Sequence, residues 1–326
     1  MKLATLKGGG PDGKLVVVSK DLSKAVSAEE IAPTLLQALE QWQAVAPALQ
    51  TLSDALNAGM AKSAFAFDQA DALAPLPRTW QWLDGSVYRT HAELMATAFG
   101  TEPAAKDVLL MYQGMSHHFI APTEPAAFPS EEDGIDFEGE FGVILDETPM
   151  GVSPDEAAKH IKLVALVNDW SLRAIAPIEM RTGFGWISAK PACSIAPVVV
   201  TPDELGNAWR DARVDLSLHV YWNGEEFGHA NGYPMAFNFP RLVAHAAHRR
   251  SLSAGTIIGS GTVSNKNYRE VGSSCISERR AIEILDHGKP KTGFMRFGDR
   301  LRMEVLDAEG ISVFGAIDQT VMAAEG

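Results

Sequence analysis

Three acidic residues alternate along the segment GIDFEGEF at positions 134–141. In a β-strand, Asp136, Glu138 and Glu140 would share one face, because successive side chains point to opposite sides, and the other face would be apolar. Carboxylates held this close repel one another unless a cation binds between them. The segment therefore predicts either a site for a hard cation or an acidic face that is simply solvated.

A further acid follows an apolar run. The run LVALV at 163–167 ends in Asn-Asp, so a buried strand would place the carboxylate of Asp169 at its mouth. Arg173 lies four residues later, near enough to pair with Asp169 or with a carboxylate of a substrate. The alternative is that Asp169 caps a helix beginning at Trp170.

Two more segments carry weaker signals. Asp84 and His91 lie seven residues apart in DGSVYRTH, where a turn Asp and a surface His are the simpler interpretation. The segment GSGTVS at 259–264 lacks the spacing of a phosphate loop or a dinucleotide fingerprint. It still fits a glycine-rich turn whose backbone approaches a ligand, and Glu278, in SCISERR, could lie near that turn.

The donor types favour an oxygen-only metal site. Carboxylates suit Mg²⁺ or Ca²⁺ rather than zinc. The two cysteines, Cys193 and Cys275, have no CxxC partner, so neither a disulfide framework nor a thiolate metal site is expected.

The composition is that of an ordinary globular protein. Of 326 residues, 46% are hydrophobic and 21% are charged, which excludes a disordered chain. The net charge of −13 argues against nucleic acid and anionic membranes as partners. The N-terminus lacks the apolar core of a signal peptide, and no apolar run is long enough to span a bilayer. We expect a cytoplasmic protein.

The first 75 residues predict a small α+β domain. Apolar runs at 2–6 and 15–19 flank the turn-rich GGGPDG, which indicates a hairpin. Ser27 and Glu30 form a capping box that predicts a helix start. Pro47 would interrupt that helix, and a second one would end at Gly59. Residues 62–78 resemble a linker, so we place a domain boundary near residue 75.

Residues 76–326 are dominated by strand patterns. Runs at 137–145, 163–167 and 214–222 predict strands, the last leading into an Asn-Gly hairpin turn at 223–224. Helices are expected at 153–160 and 239–250, and a loop around 112–118. No βαβ rhythm repeats, so the fold class is α+β rather than a doubly wound α/β sheet.

Seven segments, in chain order, resemble the fumarylacetoacetate hydrolase superfamily: DGSVYRTH, MYQG, GIDFEGE, LVNDWSLR, SAKP, GSGTVSN and SCISERR. The likeness covers about residues 78–320, and the N-terminal region is similar to that of bacterial fumarylacetoacetases. The resemblance implies a mixed β-roll catalytic domain, usually dimeric, with Mg²⁺ or Ca²⁺ held by carboxylates.

The resemblance also implies roles for individual residues. The implied metal ligands are four carboxylates: Asp84, Glu138, Glu140 and Asp169. The implied catalytic residues are a general base, the acid that orients it and a cation beside the oxyanion: His91, Glu278 and Lys190. The implied substrate contacts are Arg173, Tyr112 and Thr262.

The activity implied by the resemblance is hydrolysis of a carbon–carbon bond in a β-diketone acid. The most specific expectation is cleavage of fumarylacetoacetate to fumarate and acetoacetate, a step of aromatic amino acid catabolism, by a homodimer. Alternatives are fumarylpyruvate hydrolysis, oxaloacetate decarboxylation, a hydratase, or a non-catalytic module that binds carboxylates or Ca²⁺. The pair Asp84 and His91 favours a hydrolase, because a decarboxylase needs no activated water.

Overall fold

The computed structural model describes residues 1–100, 102, 105 and 107–325. The β-strands of this described part are β1 (Lys2–Leu6), β2 (Lys14–Val18), β3 (Lys24–Ser27), β4 (Phe65–Ala66), β5 (Trp82–Gly85), β6 (Met111–Gly114), β7 (Ala126–Phe128), β8 (Ile135–Asp136), β9 (Gly139–Leu145), β10 (Ile161–Asn168), β11 (Ser171–Leu172), β12 (Ser194–Ile195), β13 (Val198–Val200), β14 (Trp209–Arg210), β15 (Arg213–Val214), β16 (Ser217–Trp222), β17 (Glu225–Asn231), β18 (Ile257–Gly259), β19 (Arg300–Val305) and β20 (Ile317–Ala323). The α-helices are α1 (Leu35–Glu40), α2 (Trp42–Asn57), α3 (Arg89–Phe99), α4 (Pro154–Ala157), α5 (Ala176–Thr182), α6 (Phe239–Ala246), α7 (Tyr268–Val271) and α8 (Ile276–His287).

A large mixed sheet forms the centre of the molecule. Its strands lie in the order β4-β3-β2-β1-β13-β10-β9-β18-β5-β6, with β12 beside β10. Most neighbours are antiparallel, but β5 and β18 run parallel. A second sheet has the order β17-β16-β19-β20-β7. Mixed sheets with few and mostly short helices confirm the predicted α+β class.

The large sheet is buried on both faces. Along β9, Phe141 and Val143 belong to one apolar cluster that includes side chains of the second sheet, such as Leu218. Ile144, the next residue after Val143, faces the other side and belongs to another cluster that includes Leu39 of α1. Alternation along the strand thus fills two cores.

Several local predictions are confirmed. Strands β1 and β2 form the expected N-terminal hairpin. Asn223 and Gly224 join β16 to β17 with φ values of 53° and 82°, the backbone that a type I′ turn requires. Within the described residues, no helix is both long and apolar enough to cross a bilayer.

The predicted helix starts near the N-terminus were wrong. Ser27 ends β3, and its hydroxyl accepts a hydrogen bond from the amide of Glu29. The first helix begins only at Leu35, where Thr34 caps it through the amide of Gln37. The break between α1 and α2 falls at Gln41, and α2 continues through Pro47.

The interpretation of residues 62–78 as a linker also needs correction. Within it, Phe65 and Ala66 pair with β3 as the edge strand of the large sheet. On the other side of the N-terminal ribbon, β1 pairs with β13, with Lys2 opposite Val200. The sheet therefore runs without interruption across the boundary that we predict near residue 75, and that boundary stays a prediction.

Candidate active site

Three carboxylates meet at neighbouring strands of the large sheet. Asp84 lies in β5, Glu140 in β9, and Asp169 directly after β10. One oxygen from each lies within 4.8 Å of the others. All three side chains are buried, with Glu140 and Asp169 fully inaccessible. The predicted Asp169 helix cap is absent, because β11 follows with Ser171 paired to Asp136.

The electrostatics of this trio fit a bound divalent cation. Burial, with Asp169 nearby, raises the pKa of Asp84 from 3.8 to about 8. Burial and the charge of Asp84 also raise the pKa of Glu140 well above its ordinary value. Glu140 Oε1 is buried without a hydrogen-bond partner in the described part of the chain. Carboxylate oxygens that converge in this way are the donors that Mg²⁺, Ca²⁺ or Mn²⁺ take.

The glycine-rich turn after β18 closes this carboxylate pocket. A Cβ at Gly259 would lie 2.5 Å from Asp84 Oδ1 and 2.9 Å from Glu140 Oε2, so only glycine leaves room for both. The amide of Gly261 donates to the same two oxygens, at 3.0 and 3.1 Å. Thr262, the predicted substrate contact, is buried in this turn. The backbone approach suggested by GSGTVS is therefore observed, with the side chains of the acids as its partners.

Glu138 is bound by two cations beside the trio. Its carboxylate accepts Arg173 Nη2 at Oε1 and Lys190 Nζ at Oε2, both at 2.5 Å. Burial opposes its charge, but Arg173 and Lys190 outweigh burial and hold the pKa of Glu138 well below its usual range. Three of the four predicted ligands thus converge directly, and Glu138 lies next to them in an ion-pair network.

Lys190 links that network to the trio. Its Nζ donates to Asp169 Oδ2 at 2.6 Å and to Ser171 Oγ at 2.8 Å, besides Glu138. Burial alone would lower the pKa of Lys190, but the charges of Asp169 and Glu138 raise it above its ordinary value. Lys190 is therefore a charged ammonium inside the site.

Arg173 has different partners from those that its spacing suggested. Its Nε donates to Asp136 Oδ2 at 2.8 Å, and its Nη2 donates to Glu138. The pairing of Arg173 with Asp169 was therefore wrong. Strand β11 begins two residues after Asp169 and pairs with β8. This pairing places the guanidinium of Arg173 beside Asp136 in β8 rather than beside Asp169.

Tyr112 completes the surroundings of Asp169. Its hydroxyl donates to Asp169 Oδ2 at 2.5 Å. It lies in β6, paired with β5, so the expected loop around 112–118 is wrong for residues 111–114. The Sγ of Cys193 donates to Asp169 Oδ1 at 3.0 Å, a contact that nothing in the local sequence signalled.

A histidine and a glutamate from two helices form the other half of the site. His91, in the first turn of α3, places Nδ1 2.8 Å from Glu278 Oε2 in the first turn of α8. The side chain of His91 is 16% exposed, whereas that of Glu278 is fully buried. Glu278 Oε1 has no partner among the described residues. A ring nitrogen of His91 lies within 4.8 Å of a carboxylate oxygen of Glu138, so this dyad adjoins the carboxylates.

The chain belongs to the fumarylacetoacetate hydrolase family. Residues 81–322 match the family described as "Fumarylacetoacetate (FAA) hydrolase C-terminal". Residues 1–78 match "Fumarylacetoacetase N-terminal domain 2". The first of these matches alone covers well over half of the chain.

Sequence relatives in this family carry different activities in their names. A 2,4-didehydro-3-deoxy-L-rhamnonate hydrolase of Sphingomonas sp. is 29% identical over 55% of this chain and 59% of its own. A fumarylacetoacetase of Emericella nidulans is 31% identical over 47% of this chain and 42% of its own. The chain thus spans about half of the length of these curated relatives.

Solved structures share the whole fold. A putative HpcE protein from Mycobacterium smegmatis has a TM-score of 0.70 at 20% identity, with both chains fully covered. Maleylpyruvate hydrolase from Sphingobium sp. SYK-6, solved in complex with manganese(II) ion and pyruvate, has a TM-score of 0.64 at 17% identity, again with full coverage. These likenesses establish the fold of the chain.

Proposed function

We propose that this protein is a metal-dependent hydrolase that cleaves a carbon–carbon bond in a diketo acid. The observation that carries the proposal is the His91–Glu278 dyad, which adjoins Glu138, while Glu138 shares Lys190 with Asp169 of the buried trio. A cation site alone would bind an oxygen-rich ligand, and a dyad alone would move a proton. Glu138 lies next to both the dyad and the trio, so both functions would be provided at one place.

The carboxylate trio would hold the divalent cation. When bound by Asp84, Glu140 and Asp169, such a cation supplies Lewis-acid polarisation of the oxygens of a diketone. Lys190, charged and adjacent to Asp169, adds a fixed positive charge where an oxyanion would develop. The preference among Mg²⁺, Ca²⁺ and Mn²⁺ is decided by experiment, and the manganese complex of maleylpyruvate hydrolase makes Mn²⁺ a metal to test.

His91 would act as the general base. With Nδ1–H donated to Glu278, Nε2 carries the lone pair and can accept a proton from water. The water oxygen bonds to a substrate carbonyl carbon, and the adjacent carbon–carbon bond breaks. The bonding electron pair stays on the departing carbon, which then takes up a proton. Glu278 orients the ring and stabilises its protonated form.

The substrate we favour is fumarylacetoacetate, which would yield fumarate and acetoacetate. Its support is the match of residues 1–78 to a fumarylacetoacetase N-terminal domain, together with the 31% identity to the Emericella enzyme. Maleylpyruvate and fumarylpyruvate present the same diketo-acid pattern with a carboxylate at each end. They are the nearest competitors.

A panel of substrates tests this proposal. The purified protein, stripped of metal and reloaded with Mg²⁺, Mn²⁺ or Ca²⁺, is given fumarylacetoacetate, maleylpyruvate, fumarylpyruvate and oxaloacetate. Loss of enol absorbance gives the rate, and NMR identifies the products. We expect cleavage of a diketo acid that EDTA abolishes. Metal binding without turnover of any member would contradict the proposal and favour a non-catalytic binding module.

A second candidate is keto–enol tautomerisation of oxaloacetate. Curated relatives from Xenopus laevis and Bacillus subtilis carry that name, at 22% and 27% identity over parts of the chain. A dyad that moves a proton serves this reaction without any attacking water. The product decides between the two activities, because tautomerisation leaves the carbon skeleton intact whereas hydrolysis gives two smaller acids.

A further inference from the structure

Asp136 is a fully buried carboxylate that does not belong to the carboxylate trio. The alternating pattern of residues 134–141 predicts that it shares a face with Glu138 and Glu140. The strand is interrupted at residues 137–138, between β8 and β9, but Asp136 and Glu138 still bind the same guanidinium, that of Arg173. The side chain of Asp136 also reaches the start of α8.

Among the described residues, each hydrogen-bond partner of the Asp136 side chain is a donor. Oδ1 accepts the amide of Ile276 at 2.7 Å, and Oδ2 accepts the amide of Ser277 at 3.0 Å. Oδ2 also accepts Arg173 Nε at 2.8 Å. Three donors and no acceptor suit a carboxylate at this position, since an amide would bring in a competing donor. The negative charge also lies at the N-terminal end of a twelve-residue helix, where it is stabilised by the helix dipole.

These contacts connect the two halves of the site. Ile276 and Ser277 open the first turn of α8, and Glu278, which holds His91, is the next residue. On the other side, the guanidinium that binds Asp136 also binds Glu138. Asp136 therefore lies between Glu278, which holds the base, and Glu138, which borders the carboxylate trio.

We propose that Asp136 is a positioning residue that sets the first turn of α8, and with it the Glu278–His91 pair, against Glu138. It touches neither the base nor the trio, and it acts through the backbone of α8 and through Arg173. Without Asp136 the start of α8 would keep its Cys275 cap, whose Sγ accepts the Glu278 amide at 3.3 Å, and the backbone bridge between Glu138 and Cys275. It would lose the acceptor of the Ile276 and Ser277 amides, which would leave Glu278 less precisely placed. The proposal rests on the proposed function only in its activity readout.

The test compares Asp136→Asn with a matched control. Asp136→Asn keeps the shape of the side chain, but its NH₂ group would be a donor opposite one of the donors that Asp136 accepts. Asp136→Ser is the second variant, since it keeps an oxygen at the helix start without the charge. Glu132→Gln removes a nearby acid that is exposed. The main readout is the low-field Nδ1–H proton resonance of His91 in ¹⁵N-labelled protein, assigned by its absence from His91→Gln.

We expect the folded Asp136 variants to shift or lose this resonance, while the Glu132→Gln variant keeps it. Calorimetric Mn²⁺ affinity should stay at the wild-type value. With an active substrate, kcat should fall about 10²-fold, the cost of misplacing a catalytic group, with KM little changed. A residue that merely stabilised the fold would not lower kcat while leaving KM and Mn²⁺ affinity unchanged.

Three outcomes would overturn the proposal. One is an unchanged His91 resonance with wild-type kcat. Another is loss of Mn²⁺ affinity in parallel with loss of activity, which would assign Asp136 to the carboxylates. The third is failure of both Asp136 variants to fold, which would make its role structural. If the wild-type protein turned over no diketo acid, the proposed function would fail, but the resonance and the Mn²⁺ titration would still decide the role of Asp136.

Discussion

The two halves of the site are built in different ways. The acids of the trio sit in or directly after strands of one sheet, and strand pairing places them: β5 pairs with β18, β18 with β9, and β9 with β10. The dyad comes from two helices, α3 and α8, that pack against each other and whose two residues are 187 positions apart in the chain. Glu140 and Asp169 are fully buried, whereas the side chain of His91 is 16% exposed.

This difference suggests a division of labour. A hydrogen-bonded sheet resists local opening, so it suits charges that must be held together against their repulsion. A helix-borne base at the surface can exchange protons and adjust to a substrate. We therefore expect changes in the trio to affect metal binding, and changes in the dyad to affect turnover alone.

The sharpest test of this division is His91→Gln. Loss of the general base should lower kcat by about 10²–10⁴-fold, because proton abstraction from water is lost. Metal affinity, measured by titration calorimetry, should be unchanged. Glu278→Gln should show a smaller fall in kcat. Near-normal turnover of His91→Gln would show that the proposed base is wrong.

The opposite pattern is expected for Glu140→Gln. Burial and the charge of Asp84 raise the pKa of Glu140 well above its ordinary value, which favours the neutral acid in the metal-free protein, and a glutamine resembles that neutral acid. The metal-free melting temperature should therefore stay close to that of the wild type. Metal affinity should fall by about 10²-fold or more, beyond the roughly 10–100-fold typical of residues that only support ligands. A wild-type metal affinity would exclude Glu140 from the site.

The pH dependence of stability should distinguish the trio from the rest of the chain. Asp84 has its pKa raised from 3.8 to about 8, so the folded metal-free protein binds more protons than the unfolded chain between these values. Its contribution to stability is complete below about pH 4 and is lost as the pH rises through 8. Because the metal binds the ionised form, the gain in melting temperature on adding metal should grow over the same range. Asp84→Asn is the control, and an equally steep dependence in that variant would rule out Asp84 as the cause.

The smallest effect is expected at Cys193, whose thiol donates a hydrogen bond to Asp169 of the trio. Cys193→Ala removes the thiol that donates to Asp169 Oδ1, leaving a buried acceptor with one partner fewer. That loss should destabilise the protein by about 1–3 kcal/mol. Cys193→Ser keeps a donor and should lose less, as measured by chemical denaturation. If the serine variant were the less stable of the two, packing rather than the hydrogen bond would explain the position.

The strand half was also the more predictable one. Alternation and apolar runs located β9 and β10, and the Asn223–Gly224 turn followed from the backbone that these residues adopt. The interruption at residues 137–138 was not visible, because the alternating pattern continues through it, and so the partners of Asp136 were missed. Tyr112 was expected in a loop because MYQG is too short to show a periodicity.

The dyad could not have been predicted from spacing at all. Nothing local to His91 indicates α8, and a single histidine after a turn is ordinarily a surface residue. Its pairing with Glu278 was implied only by the family resemblance, and the structure places the two within hydrogen-bonding distance. The partners of Arg173 were missed for a similar reason, since they depend on the pairing of β8 with β11.

The continuity of the large sheet has a consequence for biosynthesis. Strand β1 pairs with β2 on one edge, which can form as soon as both have left the ribosome. Its other edge pairs with β13, in which Val200 faces Lys2. At about 5–20 residues per second, roughly 10–40 s of translation separate these two strands. During that interval the nascent N-terminal ribbon presents the open edge of β1, whose Leu3 and Ala4 are fully buried in the folded protein, so chaperone binding or pausing in this window would affect the yield of folded protein.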